Sequence, residues 1–469
     1  MTVRGGRLDF LAPHLLRSQF LRPGFVRLSL ALGMAQQMPG WAKLQFTNAG
    51  VSPEDLERVL GNITSLGSWA DEWESLGRAH EQGARDALTL GKPRDAARRY
   101  LAASAAYNFS QYVIFMDVDR KQALHDSCVR AYAAAAPLFD PPAVPFEVMY
   151  RRRPMKGYLR LPRVRGAAPV CVLFHGTNAV KEELHWWSEA LLDRGIATIT
   201  FDGPGLGETF HRLSTCAEPR PVGPAILNAI EARPELNPDA VAFFGQSLGG
   251  YMAIQMASHD PRVRAVAAVS PPYSADIYWD VTLSSMRREL ANLYRTSEQE
   301  LSEAIPKMTL SHILPNLRCP MMISGGGHDL ITPGTEAWRI FEGARCEREL
   351  VFYPRGAHDC FNVLADLRPR MVAWLARQLE RHHGALQPGR PRIESEPEAH
   401  WVAAEAVDPE FADAMLGDAT PREWQHRETE SLPAHWLRRF GPIGRERLEV
   451  VHRLAGGMAA AVLNGAAGR

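Results

Sequence analysis

Between residues 146 and 354 the chain carries eight short runs of branched and aromatic residues: FEVMYR, GYLRLP, VCVLFHG, ATITFDG, VAFFGQS, VRAVAAVS, PMMISGG and ELVFYP. Several are apolar at almost every position. A strand with one wet face would alternate, so these runs predict strands covered on both faces, the mark of a parallel sheet. Helical stretches separate them, and strand–helix alternation over about 240 residues predicts an open α/β sheet.

The flanks read differently. Residues 1–144 are helical in pattern: SPEDLERVLGNI starts with Ser52 before Pro53 and acids in the first turn, a good helix start. The DPPAVP stretch at 140–145 ends this region, because three prolines cannot continue a helix. The expected catalytic domain is 145–385, with a polar and aromatic insert at about 271–318. In the extension 386–469 the periodicity weakens, and it reads as partly helical or flexible. No internal repeat is visible.

Composition excludes several classes. Lys plus Arg and Asp plus Glu are both 53, so no basic field exists to hold nucleic acid or an anionic membrane. The apolar LSLALGMA stretch near residue 30 is too short to span a bilayer. Six scattered cysteines (Cys128, Cys171, Cys216, Cys319, Cys346, Cys360) without a C-x-x-C pair fit a reduced, cytoplasmic setting. No dinucleotide fingerprint, phosphate loop or metal-ligand spacing appears, so no cofactor and no metal are expected. DGPGLGE at 202–208 is glycine-rich but lacks the nucleotide-loop spacing.

One turn points to chemistry. In VAFFGQSLGGYMA (241–253) a buried run ends in Gly245-Gln246-Ser247-Leu248-Gly249 and is followed by a helical pattern. Strand, G-x-S-x-G, helix is a nucleophile elbow: glycines permit the sharp turn and the serine hydroxyl is left exposed above the sheet. A hydroxyl needs a base, and the base needs an orienting carboxylate. On this fold they follow in the order Ser, Asp or Glu, His, each just past a strand. Asp329 follows PMMISGGGH, and His358 follows ELVFYPRGA. The neighbouring His328 and Asp359 read as structural. An oxyanion would take the N–H of Leu248 and one from Gly176 or Thr177, in the loop after VCVLFHG, with His175 organising that loop.

KEE (181–183), FDGPGLGE (201–208), GQSLGG (245–250), HD (328–329) and AHDCFN followed by LRPRMVAWL make the chain resemble the FrsA-like α/β-hydrolases over roughly residues 50–385. The resemblance implies an α/β-hydrolase fold whose helical N-terminal region packs over the active site as part of a cap. It implies Ser247, Asp329 and His358 as the triad. It further implies hydrolysis of carbon–carbon bonds beside a ketone, in aryl or polyketide β-diketone-type substrates.

A flat, apolar substrate would need aromatic walls. Tyr273, Tyr278 and Trp279 in the insert and Trp186 beside the oxyanion loop are the candidates, with Tyr107, Phe109, Tyr112 and Phe115 of the helical region read mainly as core. A family member carries an acid in the insert where this chain has Thr282, and Asp280 is the nearest carboxylate. That departure predicts faster cleavage of esters or activated C–C substrates than of simple β-diketones. The same triad would serve an acyltransferase, a cyclase or a thioesterase. A reading from another class, a binding protein on a hydrolase scaffold, has no need of three ordered catalytic residues. The partner expected is a small molecule, and a homodimer is left open.

Overall fold

The computed structural model describes residues 40–383 except 113, 115–116, 178, 210–218, 276–286, 289–290, 292–295 and 330, together with 30–31, 35 and 400–403. The chain divides into a unit of residues 1–407 and a second of 408–469, which lies outside the described residues.

From residue 40 the described residues form the helices α1 (Gly40–Asn48), α2 (Pro53–Asn62), α3 (Leu66–Thr89), α4 (Pro93–Gln111) and α5 (Val118–Ala135). Ser52 caps α2 by accepting the Asp55 N–H at 3.1 Å, with Pro53 opening the first turn, where its missing N–H costs nothing. The core of this region is aromatic. Phe46 stacks on Trp73 at 5.1 Å and meets Phe109 edge-on at 4.6 Å, while Trp69 Nε1 donates to the Phe109 carbonyl. Phe109 is therefore core.

The sheet then builds from β1 (Ala143–Tyr150), β2 (Arg153–Arg160), β3 (Ala168–Phe174), β4 (Ala197–Phe201), β5 (Leu236–Gln246), β6 (Val263–Val269), β7 (Met321–Gly326) and β8 (Arg348–Tyr353). A short β9 (His400–Ala403) pairs antiparallel with β8. The order is β1-β2-β4-β3-β5-β6-β7-β8-β9. The β1–β2 hairpin joins β4 antiparallel, and β4 through β8 are mutually parallel. β3, β4 and β7 are buried at every position, as the apolar run of β3 requires, and the burial extends to Thr198 and Thr200 of β4 and Ser324 of β7.

Helices α6 (His185–Leu192), α7 (Val222–Glu231), α8 (Leu248–His259), α9 (Glu298–Ala304), α10 (Gly334–Gly343) and α11 (Leu364–His383) complete the fold. Leu173, Phe244, Ala267 and Val351 of the sheet pack with Trp187 of α6 and Trp374 of α11. Residues of the opposite parity, among them Val172, Phe243 and Ile323, are equally buried on the other face, where Trp338 of α10 meets Phe352 at 6.2 Å. From β3 the chain goes to β4 on one side and later returns to β5 on the other. β3 and β5 thus flank a topological switch point, the place at which open α/β sheets bind ligands beyond their C-terminal ends.

Candidate active site

The sequence-predicted residues gather along that C-terminal edge. Ser247 follows β5, the Gly176 loop follows β3, Asp329 follows β7 and His358 follows β8.

Ser247 sits at φ 49°, ψ −120°, a strained conformation for a residue with a side chain. Its N–H is held by the Val269 carbonyl of β6 at 2.8 Å, and its carbonyl receives the N–H of Gly250 at 2.9 Å as α8 begins. The flanking glycines are required by backbone contact. A Cβ on Gly245 would lie 2.2 Å from the Gly249 carbonyl group, and one on Gly249 would lie 2.4 Å from the Phe174 carbonyl oxygen. Leu248 is the first residue of α8, so its N–H has no intrahelical acceptor.

Gly176 lies against Ser247: a Cβ there would be 3.3 Å from Ser247 Cβ. A buried ionic knot beneath it fixes the loop. His175 Nε2 is 2.9 Å from Asp202 Oδ1, and its Nδ1 is 2.7 Å from the Gly176 carbonyl oxygen. That carbonyl belongs to the same planar peptide as the Thr177 N–H, which therefore points the opposite way. Lys181 Nζ meets Asp202 at 3.0 Å, Glu182 at 2.7 Å and Glu208 at 2.7 Å, and its own N–H donates to Asp202 at 2.9 Å. Burial works against each of these charges. Lys181 and His175 nevertheless hold the Asp202 carboxyl far below the usual range, and the three carboxylates hold Lys181 well above its own. Glu182 goes the other way: burial, only partly opposed by Lys181, pushes it up to about 7. Gly207 (φ 49°) lets Asp202 approach, since a Cβ there would sit 2.2 Å from that carboxyl group. KEE and DGPGLGE thus form one structural unit under the Gly176 loop.

Asp329 and His358 meet directly: His358 Nδ1 lies 2.9 Å from Asp329 Oδ2 and 3.0 Å from Oδ1. The N–H groups of Ile331 and Thr332 donate to Asp329 Oδ1 at 2.8 and 2.7 Å and fix the carboxylate. The helical region steadies the turn after His358, with Asn48 at the end of α1 donating to the Phe361 carbonyl at 3.2 Å.

Two features escaped the sequence reading. Asp359, structural on the sequence pattern, places Oδ2 3.6 Å from His358 Nε2. The stretch AHDCFN gave one local sign, an acid embedded among residues that fold into a buried turn. Glu183 accepts from Tyr112 (2.7 Å) and Asn108 (2.9 Å) of the helical region, so Tyr112 joins that region to the KEE segment. Burial, then Glu183, raises the Tyr112 hydroxyl well above its usual range and keeps it a donor.

The aromatic candidates part company. The Tyr273 ring lies 4.0 Å under the Arg339 guanidinium, and its N–H donates to the buried Glu336. Trp186 packs on Gly50 and against Leu101, Tyr132 and Tyr158. Tyr107 donates to Glu81 on α3. Tyr278, Trp279, Asp280, Thr282 and Phe115 lie outside the described residues. Among the described residues no helix is long and apolar enough to cross a membrane.

A mostly parallel sheet flanked by helices, with a strained G-x-S-x-G turn at its C-terminal edge, defines an α/β-hydrolase, and the protein is a hydrolase of that class. It belongs to the FrsA-like esterase family, whose sequence model matches residues 42–294. An acetyl xylan esterase model matches residues 224–378. The chain is 29% identical over 344 residues to 2,6-dihydropseudooxynicotine hydrolase of Paenarthrobacter nicotinovorans, covering 72% of this chain and 91% of that protein. Hydrolase ORFZ of Pyricularia oryzae is 27% identical over 330 residues, covering 58% of this chain and 73% of that protein. Among solved structures, 2,6-dihydroxy-pseudo-oxynicotine hydrolase superposes with a TM-score of 0.66 at 28% identity, over 75% of this chain and 100% of that one.

Proposed function

We propose that the protein is a serine hydrolase of a small carbonyl compound, cutting a C–C bond beside a ketone, or an ester, in an aryl or polyketide-type substrate. The observation that carries this reading is the Asp329–His358 pair on the same sheet edge as the strained Ser247 turn. Ser247 Oγ attacks the carbonyl carbon while His358 Nε2 takes its proton, and Asp329 on Nδ1 orients the ring and stabilises the imidazolium. The N–H of Leu248 and one from Gly176 or Thr177 hold the oxyanion, each worth about 3 kcal/mol at the transition state. Water then opens the acyl-enzyme with His358 as base. The hydrolases that the chain resembles support this reading, as does a loop beside Ser247 held by a rigid ionic knot.

A fluorophosphonate probe tests it. The probe should label Ser247, located by peptide mass spectrometry. Ser247→Ala should abolish labelling and lower turnover of an aryl ester at least about a thousandfold with the fold intact. A variant that keeps more than a few per cent of the rate would exclude Ser247 as nucleophile.

A further inference from the structure

Asp359 follows His358 in the chain yet turns back onto it. Its Oδ2 lies 3.6 Å from His358 Nε2, on the opposite edge of the ring from the nitrogen that meets Asp329. Asp359 and Cys360 both have positive φ, 51° and 54°. Each such non-glycine residue costs about 1 kcal/mol or more, so two in succession mark a turn held against its local preference. The turn places a carboxyl group on the edge of the imidazole from which proton transfer occurs. Asp359 is only 8% exposed, and its Oδ1 has no hydrogen-bond partner among the described residues. A carboxyl group placed so is better tolerated as the neutral acid than as an ion. The charged groups around it are His358, Asp329 and, from the KEE segment, Glu183, which Tyr112 binds from the helical region. Burial first, then the Asp329 and Glu183 carboxylates, outweigh the attraction of His358 and push Asp359 up to about 7.

We infer that Asp359 is a second proton-handling carboxylate of the active site, one that delivers the proton a carbon leaving group needs. The inference rests on the serine-hydrolase reading above. Attack of Ser247 Oγ on the ketone carbon sends the hydroxyl proton to His358 Nε2 and forms a tetrahedral alkoxide. Its collapse restores the C=O bond and breaks the C–C bond, whose electron pair stays on the departing carbon as an enolate. Neutral Asp359 gives its proton to that carbon, and the His358 imidazolium passes the serine proton to the Asp359 carboxylate. Both groups return to their starting states, and water completes deacylation with His358 as base. A phenoxide leaving group needs no proton at bond scission, so esters do not call on Asp359 in this way.

The test compares 4-nitrophenyl butyrate with 1-phenyl-1,3-butanedione. In Asp359→Asn the ratio of diketone to ester kcat should fall at least about tenfold, the low end of what a positioned acid contributes. A ratio that stays put, whether both rates hold or both fall together, would overturn the inference and leave Asp359 a positioning residue. Should the variant not fold, the wild-type pH profiles decide the matter. Diketone cleavage needs the acid form, so its kcat should decline as pH rises through about 7, on a limb absent with the ester. Coincident profiles would overturn the inference. A wild-type protein labelled at Ser247 that cleaves the ester but not the diketone would also overturn it, with the serine-hydrolase reading intact. Absence of labelling at Ser247 would overturn that reading itself.

Discussion

The Ser247 turn and the Gly176 loop face each other across the switch point, and the protein fixes them by opposite means. Steric exclusion shapes the first. Gly245 and Gly249 touch backbone at distances no side chain tolerates, and Ser247 is forced into a strained φ. Buried charge shapes the second, because Lys181 gathers Asp202, Glu182 and Glu208 under a loop that His175 ties to Asp202. A steric lock has no titratable part. An ionic knot keeps its geometry only while its protons stay in place, and it gains in return a directional hold on one peptide.

Removing the cation from the knot should produce the largest effect. Lys181→Met leaves three carboxyl groups without their shared partner, and breaking a buried pair from one side costs about 3–5 kcal/mol. The pH dependence should steepen as well. In the wild type Asp202 is held far below its unfolded value, so its contribution is fully present above the ordinary carboxylate range and constant from pH 8 to about 5, while Glu182, raised to about 7, adds stability as pH falls through that value. Without Lys181, burial favours the protonated Asp202, and the variant should gain stability as pH falls. Denaturant unfolding between pH 4 and 8 measures both, and a variant with an unchanged pH slope would show that the knot is not held by charge.

Gly249→Ala attacks the steric side. A methyl 2.4 Å from the Phe174 carbonyl oxygen must displace backbone, at roughly 3 kcal/mol. This loss should be the same at pH 5 and pH 8, which distinguishes it from the knot. A loss that varied with pH would mean the elbow also depends on titrating groups.

Tyr112→Phe should have the smallest effect. It removes one donor from Glu183 and leaves Asn108 in place, a loss of about 1–2 kcal/mol for a buried hydrogen bond. Its value lies in linkage: a drop in melting temperature with a matching drop in fluorophosphonate labelling rate would show that the helical region steadies the KEE segment for catalysis. Unchanged labelling would confine the bond to packing.

Much of this was legible in the linear order of residues. The nearly continuous apolar runs required a sheet covered on both faces, and β3, β4 and β7 are buried at every position. The glycines around Ser247 announced a tight turn because Gly245 meets Gly249 only four residues on, whereas the exclusion of a side chain at Gly249 by Phe174 of β3 was not legible locally. Ser52 and Pro53 marked the start of α2 for the same reason. Phe109 fell into the core as helical spacing suggested, and Asn48 gave no sign that it would hold the turn after His358.

The sequence by itself therefore determined the layered α/β architecture and the positions of Ser247, Asp329 and His358 after their strands, since periodicity and turn chemistry act over a few residues. Only the tertiary structure decided that Lys181, Asp202 and Glu208 form one knot, that Tyr112 reaches Glu183 71 positions away, and that Asp359 turns onto the Nε2 edge of His358. A buried charge or a positive φ is unfavourable locally and exists only where packing from distant segments removes water and supplies partners. That information lies in the fold.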